Sequence, residues 1–471
     1  MQTECTRNYN SFQALGKREI VADFSGGTIT SDGGGLLLRE VEQRTAVLQR
    51  FAECFTDYRD EKRIEHSILS LVSQRVIGLA LGYEDLNDHD HLAKDQMLAI
   101  VVGKTDPTGM DRKSEQDKGK PLAGKSTLNR LELTPADATA QSPYKKIVIS
   151  PEAVDHLFVD VFLEAHAQVP RQIILDVDAT DDPLHGDQEG KFFHGYYKAY
   201  CYLPLYIFCG EHLLCARLRP ASNDAAAGTV AEIERIVGRI RASWPDTRII
   251  VRGDSGFCRE ELMVWCEDND VDFLLGLARN NRLEQELAEE LALAKALYQC
   301  SGKASRVFKD FCYKTRKTWR WHRRVVGKAE HLGKGANPRF VVTSFKAGEY
   351  DARELYEKMY CARGDMENRI KEQQLMLFAD RTSTQKMFSN QIRLYFSSLA
   401  YLLVQALRQF GLAGTDMAKA QCDTIRLKLF KIGAKIRITV RKVWISFADG
   451  YPYRRIFDQA WANIAERPLR V

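Results

Sequence analysis

Residues 172–182 read QIILDVDATDD, and the fold turns on this stretch. The run Ile173-Ile174-Leu175 is β-branched and apolar and ends in the acids Asp176 and Asp178, the pattern of a buried strand. Working outward, Tyr196 to Phe208 and Leu213 to Leu218 read as two more strands. Helical periodicity then runs from Asp224 to Trp244. Arg248-Ile-Ile-Val-Arg252 is a fourth strand, Arg259 to Glu267 a helix and Asp272 to Leu277 a fifth strand. Three consecutive strands followed by helix–strand alternation predict an α/β fold, a mixed sheet flanked by helices.

The rest of the chain differs in texture. Residues 1–168 are mostly helical by period; Ile64 to Leu81 carries apolar residues at three- and four-residue intervals. Residues 280–338 interrupt the α/β pattern with a charged helical piece and the alternating, basic KTWRWHRRVVGK. The pattern resumes at Arg339-Phe-Val-Val-Thr-Ser344, with helices predicted around Arg363 to Ala379 and Ser389 to Phe410. The last 55 or so residues are basic and partly β-like, ending in a helix.

Length and composition bound the rest. The chain has 471 residues, a 45% hydrophobic fraction and a formal net charge of +5, enough for several units with cores and a mild basic excess. Its 11 cysteines, Cys5 among them, form no C-x-x-C pair, which predicts reduced thiols rather than a disulfide framework or zinc site. The N-terminus MQTECTRNYN has no apolar signal core, and the apolar run Ile392 to Leu412 contains Arg393 and Arg408. A cytoplasmic protein with no membrane partner is expected.

Gly119 to Thr127, GKPLAGKST, fits the phosphate-binding pattern G-x-x-x-x-G-K-[ST]. The polar KTDPTGMDRKSEQDK before it cannot be the strand such a loop must follow. A surface turn is expected there, with Ser126 or Thr127 capping a short helix. Asn87-Asp-His-Asp-His91 resembles a metal site in composition, but polar packing and helix capping account for it better than zinc.

Three acidic sites carry chemical promise. Asp176 and Asp178 are two apart on a strand and share a face. Asp254, in IIVRGDSGF, follows the end of the fourth strand, where ligands of α/β sheets bind. In YCARGDMENRIKEQQ, Arg363, Glu367 and Lys371 fall at four-residue steps on one helix face. Carboxylates converging from two strands and a helix are hard oxygen ligands suited to magnesium or manganese.

The set D-x-T (Asp178, Thr180), G-D-S-G-F (Asp254) and Y-x-x-R-x-x-x-E (Tyr360, Arg363, Glu367) resembles the DDE transposases of bacterial insertion sequences, most closely the branch numbered 1380. GYEDLNDHDHL, KSTLNRLE and HGDQEGKFFHGYY support the resemblance. It implies an RNase H-like catalytic core with a β-rich insertion subdomain and a helical N-terminal region. Its divisions would be 1–168 for DNA-end binding and oligomerisation, 169–279 for the first part of the core and 280–338 for the insertion. Residues 339–415 would hold the second part of the core with the catalytic helix, and 416–471 a basic C-terminal region. It implies Asp178, Asp254 and Glu367 as catalytic ligands of two Mg2+ or Mn2+ ions, with Asp176 competing for the first place; Asp178 carries the D-x-T pattern. It implies phosphate contacts by Tyr360 and Arg363. Relatives carry a lysine seven residues after the glutamate; Gln374 stands there, and Lys371, one turn after Glu367, is the candidate for that role. The partners implied are double-stranded DNA, as terminal inverted repeats and target, and a second copy on paired ends at the nucleoid. A DNA-binding repressor or domesticated remnant without catalysis is the alternative.

Two further stretches fit a DNA partner. In KTWRWHRRVV, Trp319 and Trp321 would share one side of a strand, to stack on an unpaired base or to pack their own subdomain. Arg426, Lys428 and Lys431 open the densest basic stretch, which continues through Lys442, suited to DNA backbone or to a solvated surface.

Overall fold

The computed structural model describes residues 9–469; Cys5 and the leading MQTECTRN lie outside them. The chain divides into two compact units. One comprises residues 9–46, Glu65–Leu128 and residues 406–469, and the other Val47–Ile64 and Asn129–Gln405.

The larger unit is built on a mixed sheet. Its main strands are β1 (Gln172–Ala179), β2 (Leu205–Cys209), β3 (His212–Arg217), β4 (Arg248–Gly253), β5 (Asp272–Leu277), β6 (Ser305–Tyr313), β7 (Arg323–Leu332) and β8 (Arg339–Thr343), and the two residues Gly335–Ala336 pair with the end of β7. They lie side by side in the order β3-β2-β1-β4-β5-β8-β7-β6. β4 runs parallel to β1 and to β5, and the other pairs are antiparallel. Residues 305–332 therefore extend this sheet, after the helices Asn281–Glu286 and Ala288–Ser301.

Alternation along the strands gives the sheet two covered faces. Leu175, Val177, Val251, Phe273 and Leu275 point into a core closed by helices α1 (Pro151–Glu164), α2 (Thr229–Ser243) and α3 (Glu260–Asp268). Ser150 caps α1 by accepting the Ala153 N–H, with Pro151 pre-set at the first position. Ile250, Leu274, Val326 and Val341 point the other way, against Phe345, Leu355 and Tyr356. Asp176, Asp178 and Arg252 share that second face by the same alternation.

The strand expected over Tyr196 to Phe208 is two strands. Pro204 has no N–H to give a ladder, and the chain breaks there. Ala199–Tyr202 pairs with Phe192–His194 and Asp182–Pro183 in a separate small sheet, and only β2 joins the large one. The predicted helix from Arg363 is α4 (Gly364–Lys371), flanked by π-helical turns at Leu355–Tyr360 and Glu372–Met376. Phe378, at φ 62°, ends it. α5 (Met387–Phe410) follows.

The smaller unit is helical around Ile68–Leu81, with a C-terminal hairpin, Ala434–Ile438 and Val443–Phe447, paired to Ile29–Thr30. Gly34 there allows a close backbone approach: a Cβ would lie 1.7 Å from the Leu429 carbonyl oxygen. The stretch at Gly119 follows the short turn Glu115–Asp117, not a strand. The helix after it begins at Lys125, whose N–H is accepted by Asp90 at 3.1 Å, so Ser126 and Thr127 are not its caps. Asn87 accepts the Lys125 ammonium at 3.2 Å, which makes the 87–91 stretch polar packing around this helix start. The ten cysteines among the described residues are free thiols. No helix among these residues is long and apolar enough to cross a membrane.

Candidate active site

β1 and β4 are parallel neighbours with Val177 opposite Gly253, so Asp178, still paired with Tyr206 of β2, and Asp254, the first residue past β4, come to the same end of the sheet. Gly253 is required at this closeness: a Cβ would fall 2.7 Å from the Val177 side chain. Asp254 then caps the short turn Ser255–Phe257, accepting the Gly256 N–H at 2.8 Å. Glu367 reaches the same place from α4. The three acids line one cavity of ≈ 600 Å³ together with Thr180, Arg363, Lys371 and Gln374.

Arg363 ties two of the acids together. It donates to Asp178 Oδ2 at 3.0 Å and to Glu367 Oε1 at 2.9 Å. Burial pushes the Asp178 carboxyl up to about 6; Arg363 pulls it down, and Asp254 and Glu367 push it up further. Arg363 thus does not fully offset the burial of the Asp178 carboxyl. Lys371 is exposed at the rim, and Gln374 is buried, donating to the Asp181 carbonyl at 3.0 Å.

Asp176, two residues before Asp178, is turned to a different task. Its carboxylate accepts from Arg252 Nε at 2.5 Å and Nη2 at 2.7 Å, both side chains being buried. Arg252 also donates to the Met359 carbonyl, so the pair fastens the sheet to the segment that leads into Arg363 and Glu367. Sequence reading missed this arginine. Its signal was a lone cation inside the apolar run IIVRG, directly opposite Asp176 in register.

Tyr360 stands beside the acids. A Cβ on Gly276 would lie 2.5 Å from its hydroxyl, so that glycine admits the ring. Burial raises the Tyr360 hydroxyl above its ordinary value. Tyr360 also lines a second cavity of ≈ 440 Å³, with Arg279, Arg339 and Tyr356.

The carboxylates are a hard oxygen donor set, the chemistry a divalent cation selects. Among the described residues no group of three His, Cys, Asp or Glu side chains is arranged to hold a metal ion as it stands. Arg363 bridges the acids where such a cation would neutralise them. The donor set thus fits a divalent ion on condition that Arg363 yields its place.

The remaining candidates lie apart from these acids in sequence and in role. KTWRWH is the irregular connection between β6 and β7, not a strand, so Trp319 and Trp321 do not share a side. Trp319 is 5% exposed and packs edge-on against Tyr313. Trp321 is 39% exposed, donates to Glu267 and lies under Arg320 and Arg323. In the smaller unit Arg426 donates to the Leu79 and Ala80 carbonyls, closing the end of Ile68–Leu81. Lys431 pairs with buried Asp32 at 2.6 Å, and Lys428 sits 5.2 Å over the Tyr453 ring. The open cations of this stretch are Lys435, Arg437, Arg441 and Lys442, on the hairpin with Trp444.

Comparison with curated proteins returned no match. The family model for the transposase DDE domain, group 1, matches residues 12–469, nearly the whole chain. The chain therefore belongs to the DDE transposase family, enzymes whose partner is DNA and which generally use divalent metals.

Proposed function

We propose that this protein binds the terminal inverted repeats of its own insertion sequence, cleaves DNA at the ends and joins the 3′-hydroxyls to target DNA. The observation that carries the reading is the convergence of Asp178, Asp254 and Glu367 on one cavity beside Arg363. The strand order β3-β2-β1-β4-β5, three antiparallel strands then two parallel to the first, supports an RNase H-like core.

Asp178, Asp254 and Glu367 would hold two Mg2+ or Mn2+ ions. When bound, such a pair activates a water or 3′-hydroxyl and stabilises the leaving oxygen of a phosphodiester. The chain's own part is positional. Arg363, displaced from the acids, turns its planar fork to a phosphate oxygen. The Tyr360 hydroxyl, kept protonated by burial, donates to the same backbone. Lys371, at the cavity rim, neutralises a neighbouring phosphate.

End recognition is assigned to the helical region 1–168 and the basic region 416–471, and the exposed cations Lys435, Arg437, Arg441 and Lys442 support the second assignment. Trp321 can meet DNA as it stands. A dimer on paired ends follows from the need to cut both. The catalytically silent remnant is disfavoured because all three carboxylates keep access to one cavity.

The test is incubation of the protein and magnesium with a supercoiled plasmid carrying the DNA that flanks its gene. The proposal expects nicks at the element ends by wild type, and end binding without nicks by Asp254→Asn. Equal nicking by both would remove Asp254 from the chemistry; end binding with no nicking by either would favour the remnant.

A further inference from the structure

The small sheet that follows the first acid has a surface unlike the rest of the unit. Its hairpin, Phe192–His194 paired with Ala199–Tyr202, is rooted by buried Cys201, Tyr202 and Leu203. Four of its rings are open, Phe192 at 49% exposed, Phe193 at 49%, Tyr196 at 83% and Tyr200 at 50%, while His194 and Tyr197 are half-buried. Such a concentration of open rings on one hairpin marks a binding surface.

The rings are already organised. Phe193 and Tyr200 meet at 5.4 Å, Tyr196 and Tyr197 at 5.0 Å, and His194 and Tyr197 at 4.9 Å between centroids. Lys191 lies 4.8 Å over the Tyr200 ring, and Lys198 is exposed in the turn, so cations flank the aromatics. The Lys198 N–H closes that turn on the His194 carbonyl at 2.8 Å, with Lys198 at φ 55°.

Place gives the surface its occupant. His194, Tyr196 and Tyr197 line the same ≈ 600 Å³ cavity as Asp178, Asp254 and Glu367. A strand lying in this cavity with a phosphodiester at those acids has the hairpin's rings beside it. Bases inside a duplex have both faces covered and offer nothing to an open ring. An unpaired base offers a whole face, and flanking cations take its phosphates.

We propose that the hairpin Phe192–Tyr202 is a stacking platform for unpaired nucleotides beside the bond held in the three-acid cavity, with Tyr196 as its principal ring. The inference rests on the reading of the cavity as a DNA-cleaving site and adds that the DNA there is locally single-stranded.

The test uses binding alone, without metal. Fluorescence anisotropy compares a labelled 20-nucleotide dT strand with an abasic strand of equal length and charge. Wild type is expected to bind dT tighter than the abasic strand. Tyr196→Ala should weaken dT binding about tenfold, the range for one lost stack, and leave abasic binding unchanged. Tyr196→Phe should keep wild-type affinity. Tyr196 is so exposed that its truncation cannot unfold the protein. Equal loss on both strands, no loss on either, or a change of oligomeric state in Tyr196→Ala would overturn the platform, the last by making the hairpin a protein interface. The plasmid nicking test is separate, so failure of the cleavage reading and failure of the platform give different results.

Discussion

Replacing Asp178 with asparagine should make the metal-free protein more stable at neutral pH. The Asp178 carboxyl sits at about 6, raised from 3.8, and its side chain is 15% exposed. A raised carboxyl means that the native state holds its proton more tightly than the unfolded chain does. Below 3.8 both states are protonated and nothing is lost. As pH rises toward 6 the unfolded chain ionises first, and stability falls through that window. Above it the penalty is complete, at roughly 1.4 kcal/mol per unit, or about 3 kcal/mol. Asparagine keeps the shape and removes the charge. Urea unfolding in EDTA at pH 7 should therefore find Asp178→Asn more stable than wild type by up to about 3 kcal/mol, and the gap should close by pH 4. Added magnesium should stabilise wild type and not the variant, because only wild type keeps the full ligand set. If the variant is the less stable at pH 7, Arg363 fully compensates Asp178. The carboxylate is then an ordinary ion-pair partner, and the electrostatic argument for a cation site falls.

Three other changes discriminate parts of the account. Arg252→Met strands buried Asp176 without its partner and should cost about 3–5 kcal/mol in urea unfolding, whereas Arg252→Met combined with Asp176→Leu should recover much of that; a neutral single variant would mean that the pair is not buried. Trp319→Ala should cost about 3–5 kcal/mol as a core truncation, and Trp321→Ala under about 1 kcal/mol; reversed values would contradict the burial described for the two rings. Gly276→Ala puts a Cβ 2.5 Å from the Tyr360 hydroxyl and 2.8 Å from the Ser255 nitrogen. It should cost about 1–3 kcal/mol and lower nicking by moving Tyr360; unchanged nicking would detach Tyr360 from the site.

What the sequence conveyed and what it hid follow one physical line. β1, β4 and β5 could be read because buried parallel strands are near-continuous apolar runs. The acids at their ends stood out against those runs. The break at Pro204 was readable in principle, since proline cannot serve a central strand, yet the aromatic run around it carried the stronger strand signal. KTWRWH alternates like a strand but bends, because Trp319 turns into the core while Trp321 stays out. The two roles of Asp176 and Asp178 depended on register: only the pairing of β1 with β4 sets Arg252 against Asp176. Arg426 and Lys431 looked like free charge because their partners, the end of Ile68–Leu81 and Asp32, lie hundreds of residues away in sequence.

The most direct measurement is manganese binding, followed by electron paramagnetic resonance, to wild type, Asp178→Asn and Glu367→Gln. Wild type is expected to bind the ion, and either substitution to weaken binding by tenfold or more. Equal binding by all three proteins would contradict it, and the three-acid cavity would not be a metal site.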